Sequence, residues 1–468
     1  MHRWTCCAAV LTLLGAPFTE RAHAQTGDSR ASSDTTRAPA NAVRLAARIG
    51  ELESAVSELL RRQGRLADSL AKVTRQAADA GNPPLTFSSA DGRFRLRLRG
   101  YFQSDTRFFY HDVATPATGT FLLRRVRPVW EATVGRILDL RLMPDFGEGR
   151  VTVFDAHADL RLSPEINIRS GKFKPPVGME RQQSATDLIF VERAINTSFA
   201  PNRDVGVQLY GDIRGGVIQY QAGVFNGVPD LGFGDGDNGN HKDVVGRVVL
   251  EPFARSSIQP LREFGIGIAG SRGVHTGTVS APFLQVYRTP AQQAAFVFRS
   301  DGTANGTTVA DGMHTRVAPQ GYWYVGRVGT LWEYTKVGQV VRRGTMTSPT
   351  LEHAAFNVTS SVALTGEHPS YRGLTPAKPF DPQRRQWGAF EVGLRYNVFT
   401  IDPASFPVFA DPTTQPRRAE SHGVALNWYL NRGVRFMVNY SVTSYRGGAI
   451  TGNRESERAL QTRIQHSF

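Results

Sequence analysis

Cysteine is nearly absent: the chain has two, Cys6 and Cys7, both among its first seven residues. If the leader that carries them is removed, the remaining protein has no disulfide, thiolate nucleophile or thiolate metal site. Long apolar runs are also missing. Beyond the amino terminus no stretch approaches the ~20 residues a transmembrane helix needs, so membrane insertion must use strands. Lys and Arg number 55 against 41 acids, a formal charge of +14, yet they form no dense basic block of the kind that binds nucleic acid. The eleven histidines show no HxxxH-like pair, no Ser/His/Asp arrangement stands out, and the Asp/Asn run at 232–240 lacks the bidentate Glu of an EF-hand loop. No enzyme, metal site, cofactor or nucleic-acid partner is expected.

What the chain does contain falls into four segments. Residues 1–24 read as a secretory signal peptide, with Arg3, an apolar core from Trp4 to Leu14, and Ala22-His23-Ala24 as a cleavage site. Residues 25–41 are rich in Ser, Thr, Ala and Pro and read as a flexible linker. Over 42–80 the spacing alternates between fours and threes, at Leu45, Ile49, Leu52, Val56, Leu59, Gln63, Leu66, Leu70, Val73 and Ala77. These are the a and d positions of a coiled-coil helix, Gln63 being the one polar interruption. The helix either joins subunits in the periplasm or lies alone on a barrel mouth.

From 85 to 468 the period is two. Arg93, Phe94, Arg95, Leu96, Arg97, Leu98 and Arg99 alternate charge with apolar bulk, and an extended strand sends the two sets to opposite faces. Sixteen such segments predict an all-β fold, a 16-stranded antiparallel transmembrane β-barrel in outer-membrane lipid, with short turns at one end and longer loops at the other. The connection at 366–385 is too long for the turn end where parity puts it.

Through the first five strands the even positions are apolar. The odd ones include Arg93, Arg95, Arg97, Arg99, Arg125, Arg127, Arg141, Arg161 and Arg169. An arginine facing lipid at mid-bilayer costs ~2–4 kcal/mol, so the lumen must hold these nine. Arg124 falls on the lipid face and is expected near a membrane boundary. Guanidiniums bind oxyanions through paired N–H donors, which makes a row of them an anion path. Asp105, Glu131, Asp139, Asp155, Asp159 and Glu165 share the odd positions. The wall is therefore either an anion path or a salt-bridged, largely neutral surface.

Residues 174–203 form the third loop on the longer side. Thirty residues with Leu188-Ile189-Phe190-Val191 inside are too apolar for a solvated tip. The loop is expected to fold inward, bringing Lys172, Lys174, Arg181, Arg193 and Arg203 to a constriction. The terminal strand ends on Phe468, similar to the signal read by barrel-assembly machinery.

Four motifs stand in order: Gly171-Lys172-Phe173-Lys174-Pro175-Pro176; Arg203-Asp204-Val205-Gly206-Val207; Trp387-Gly388-Ala389-Phe390-Glu391 with Arg395-Tyr396; and Leu426-Asn427-Trp428-Tyr429-Leu430. With them the chain resembles the phosphate-selective porin O/P family over 85–468. The resemblance implies a homotrimer of barrels, each constricted by its third loop, that passes phosphate or other small anions passively across the outer membrane. Two other readings stand beside it: a general small-solute porin with a salt-bridged lumen, and a structural protein whose coiled coil tethers the outer membrane.

Overall fold

The computed structural model describes residues 47–48, 50–58, 85–110, 118–236, 239–346 and 348–468. The signal peptide, the linker and most of the expected helix lie outside these residues. Within 42–80, residues 50–58 are helical, with Leu52 and Val56 of the apolar seam exposed.

A short strand, β1 (Leu85–Ser88), opens the barrel domain. The first half of the barrel comprises β2 (Phe94–Tyr110), β3 (Thr120–Val134), β4 (Leu138–Asp145), β5 (Thr152–Arg161), β6 (Asn167–Phe173), β7 (Asp204–Ile213), β8 (Ile218–Phe225) and β9 (Asp243–Leu250). β10 (Glu263–Thr276) follows, and β11 (Tyr287–Arg288) and β12 (Ala294–Phe296) form a small separate hairpin in the next loop. The wall then resumes with β13 (Thr308–Val325), β14 (Val328–Arg343), β15 (Thr350–Ala363) and β16 (Ala389–Thr400). β17 (Pro416–Tyr429), β18 (Val434–Gly447) and β19 (Glu457–Ser467) complete it.

Each barrel strand pairs antiparallel with the next, and β19 pairs with β2 from Arg458↔Tyr110 to Ser467↔Tyr101, closing the cylinder. Among the described residues this makes sixteen staves, since β1 only extends the edge of β2 below the point where β19 stops. Closure removes every sheet edge, which a bilayer without hydrogen-bonding partners requires. The sixteen expected segments all appear, with ends shifted by a few residues. The long connection at 364–388 keeps its place at the turn end, where Leu364 N–H donates to Phe390 O and Phe380 N–H to Leu430 O.

The outward face carries the apolar residues that alternation assigns to lipid, among them Phe102, Trp130, Leu140, Leu142, Ile168, Leu394, Leu426 and Ile464. Arg124 departs from the expectation. In the β2–β3 register Gln103 pairs with Arg125 but Ser104 with Leu123, so Arg124 is the extra residue of a β-bulge. The bulge turns it inward beside Arg125, where it meets Glu192 and Glu148 at 2.5 and 3.1 Å.

The lumen is filled unevenly. On the β14–β18 side, inward residues Val337, Val341, Leu351, Ala355, Phe399, Ala419 and Tyr445 pack with Ile195 and Phe199 of the third loop, Tyr287, Phe296 and Phe298 of the loop after β10, and Phe409 of the loop after β16. This apolar core inside the cylinder closes that sector and leaves open space against β2–β8.

The alternation yields a direct test. Leu140→Arg places a charge on the lipid face and should destabilise the barrel, by about 2–4 kcal/mol at mid-bilayer depth and less nearer the rim, whereas Leu140→Phe should change little. Urea unfolding in lipid vesicles measures both.

Candidate functional site

Against β2–β8 lies a cavity of about 1190 Å³. Eight of the nine arginines expected on the inner wall line it: Arg95, Arg97, Arg99, Arg125, Arg127, Arg141, Arg161 and Arg169. Arg93 does not. It sits exposed at the turn end, 3.7 Å from Asp91.

Most of these guanidiniums have carboxylates. Glu131 holds Arg99 at 2.5 Å and Arg141 at 2.7 Å; Asp155 holds Arg141 at 3.2 Å and Arg203 at 2.7 Å. Arg169 pairs with Asp159 at 2.7 Å, Arg161 with Asp139 at 2.8 Å, and Arg127 with Asp145 at 2.8 Å. Arg95 and Arg97 make no ion pair among the described residues.

The third loop lies against lumen-facing side chains of both halves of the wall. Gln103 donates to Ala185 O at 3.0 Å, and Asn427 to Ile189 O at 2.9 Å. Glu333 of β14 accepts Met179 N–H at 2.7 Å and Glu180 N–H at 3.3 Å, and Arg395 of β16 grips Glu180 at 2.5 Å. Glu192 takes four guanidiniums: Arg124 at 2.5 Å, Arg107 and Arg125 at 3.2 Å, and Arg463 at 3.5 Å. Burial opposes its ionisation, but Arg124, Arg125, Arg463 and Arg107 outweigh burial and hold the carboxyl well below the usual glutamate range.

The loop's own cations divide. Arg203 lines the cavity and pairs with Asp155. Lys172 does not reach the cavity; its ammonium bonds Asp235 at 2.6 Å. Lys174, Arg181 and Arg193 line the cavity and bond uncharged oxygens. Lys174 donates to Gln182 O and Gln183 O, Arg193 to Glu180 O and Gln183 O, and Arg181 to Thr197 O and Asn202 Oδ1. None of the three has a carboxylate within 4.0 Å among the described residues. Burial, then Arg203 and Arg193, push Lys174 well below the ordinary ammonium value.

A further contact enters from the opposite end. The turn connection 364–388 brings Tyr371 to the third loop, where its hydroxyl donates to Met179 O at 2.6 Å and its carbonyl accepts Gln183 Nε2 at 2.9 Å. Sequence reasoning missed Tyr371, and also Arg107, Arg395 and Arg463. The odd-position rule extended to β16 and β19 would have found the last two.

A closed antiparallel barrel of sixteen strands, with a cationic cavity beneath its third loop, defines an outer-membrane porin. The particular family follows from comparison: the phosphate-selective porin O and P family matches residues 94–468, and the chain belongs to it. Porin O of Pseudomonas aeruginosa is 32% identical over 113 residues, covering 22% of this chain and 24% of that protein. The match thus spans about a quarter of that relative's length. Among solved structures, the outer membrane channel DcaP of Acinetobacter baumannii has a TM-score of 0.52 at 10% identity, over 82% of this chain and 99% of that one. An anion-selective porin from Comamonas acidovorans has a TM-score of 0.52 at 11% identity, over 80% and 100%. At these identities the two likenesses concern the fold.

Glu192→Gln should destabilise loop docking by about 3–5 kcal/mol, because it leaves Arg107 and Arg125 buried without an acid. Because the wild-type carboxyl's pKa is depressed in the folded state, its contribution persists as pH falls through ~4.3, the ordinary glutamate value, and is lost only below it. Protease accessibility of residues 174–203 against pH measures both effects.

Proposed function

We propose that this porin is a passive anion channel whose preferred solute is phosphate or a related oxyanion. The observation that carries the reading is the group Lys174, Arg181 and Arg193, cations that face the cavity with only neutral oxygens for partners. An anion there meets positive charge that has no carboxylate in direct contact. Arg95 and Arg97 extend the same condition toward the turn end. The acid-paired arginines Arg99, Arg125, Arg127, Arg141, Arg161 and Arg169, with Arg203, would supply further donors along the way, and Arg93 would draw anions at the mouth. Several modest sites in series suit conduction, since each must release what it binds.

The contacts of residues 174–203 with wall residues on both sides support an inward-folded third loop that narrows the pore. Family membership supports a homotrimer and phosphate as substrate. The period of 42–80 supports a coiled coil in the periplasm, and Phe468 fits recognition by the barrel-assembly machinery. In the tethering reading, deletion of 45–77 would weaken the envelope and leave conductance unchanged.

The ion pairs of Glu131, Asp139, Asp145, Asp155 and Asp159 favour a second reading, a general small-solute porin with a neutralised wall. Chloride currents in planar bilayers distinguish the two. Inhibition by added phosphate is expected, and its absence would leave only the general porin. Under a salt gradient the reversal potential should show anion selectivity. Lys174→Gln or Arg193→Gln should each reduce the anion-to-cation ratio about fivefold, the worth of ~1 kcal/mol for one charge at close range in a wet pore. Because Lys174 loses its proton at lower pH than an ordinary lysine, anion current should fall as pH rises, and Lys174→Arg should abolish that dependence.

A further inference from the structure

On the staves that follow β8, and outside the lining of the cationic cavity, three side chains with ligand chemistry converge: Asp243 of β9, His275 of β10 and His314 of β13. One carboxylate oxygen and one nitrogen from each imidazole all lie within 4.8 Å of one another, and all three residues are buried. His275 Nε2 is 3.0 Å from Asp243 Oδ1, and the two imidazole centroids are 4.4 Å apart. Spacing along the chain gave no sign of this set, because its members come from three different strands.

Three further observations bear on what the set is for. Each imidazole keeps its Nδ1 without a hydrogen-bond partner in a buried site, a costly omission for groups with no other task. Next, Gly273 faces His314 across the ladder, and a Cβ there would fall 1.8 Å from Asp243 Oδ1. The bare glycine is what lets the carboxylate lie beside the histidines. Finally, the charge is unbalanced. Arg316 is fully buried and bonds Asp230 at 2.7 Å and Asp243 Oδ2 at 3.2 Å, while His314 Nε2 lies 3.9 Å from Asp230. With neutral imidazoles, two carboxylates face one guanidinium. Asp204 adds a third acid nearby, bonded to the amides of Gly227 and Val228. Arg316 occupies Asp243 Oδ2 and leaves Oδ1 to the histidines.

We propose that Asp243, His275 and His314 bind a divalent transition-metal cation of the zinc class. Two imidazoles and a carboxylate with a fourth position open form a borderline N/O donor set suited to zinc. Asp230, held by Arg316, stands as an outer acceptor for His314. The ion would tie β9, β10 and β13 together.

The test uses the full mature porin without a polyhistidine tag, stripped with chelator and dialysed against zinc or cobalt. One zinc per chain, four-coordinate visible bands from the cobalt form, and a zinc-dependent rise in the urea midpoint are expected. His275→Gln and His314→Gln, each checked for a folded barrel by heat-modifiable gel mobility, should weaken binding about a hundredfold or more, one ligand's share of a site of this kind. If one variant fails to fold, the other carries the comparison. Wild-type protein that retains no zinc, or zinc binding that survives both substitutions, overturns the proposal.

Discussion

A single carboxylate governs how the first and last staves of this barrel meet. Glu192 lies within 3.5 Å of guanidiniums from β2, β3 and β19, so it straddles the seam where the cylinder closes. Arg463 also has Asp105, through a bidentate pair at 2.6 and 2.7 Å across that seam, and Arg124 also has Glu148. Within 4.0 Å, Arg107 and Arg125 have only Glu192 among the described acids. Buried charges need partners, and this partner arrives on a loop. The placement of the third loop and the electrostatic relaxation of the wall are therefore one event.

Around that anchor the lumen separates into two regimes. In the β2–β8 sector charge is dense, acids and arginines interleave, and space remains open. In the β14–β18 sector the inward residues are apolar toward the loop end, and elsewhere amides such as Asn357, Asn397, Asn427 and Asn439 stand among a few charges, Glu333, Glu391, Arg395 and Arg435, while loop side chains fill the volume. Packing follows composition: the apolar side chains Phe199, Tyr287, Phe296 and Phe399 gather into one buried cluster.

The barrel was legible because lipid on one side forces a period of two, and no globular core imposes that pattern for nearly four hundred residues. The same parity picked out nine arginines on the first five strands, eight of which border the cavity. It failed at Arg124, since a bulge inserts one residue and leaves no mark in the alternation. Lys172 was misjudged because its partner, Asp235, comes from a different loop. The Asp243, His275 and His314 set was hidden for a related reason: inward positions are odd on β9 and β10 but even on β13, a change made in the intervening loop. For 364–388 the length was legible as an anomaly and its destination was not, because nothing in a sequence says which interior a loop enters.

The meeting of Tyr371 with Met179 gives the molecule a mechanical property that its wall alone lacks. A thin cylinder flattens easily under lateral load, because neighbouring strands can hinge about their shared ladder without breaking its hydrogen bonds. Here the third loop, from one rim, meets the turn connection from the other, and the loop is bonded in addition to staves of both halves of the wall. Hydrogen bonds through the two segments thus join staves that are not neighbours in the wall. Such ties oppose flattening of the ring without stiffening the wall itself.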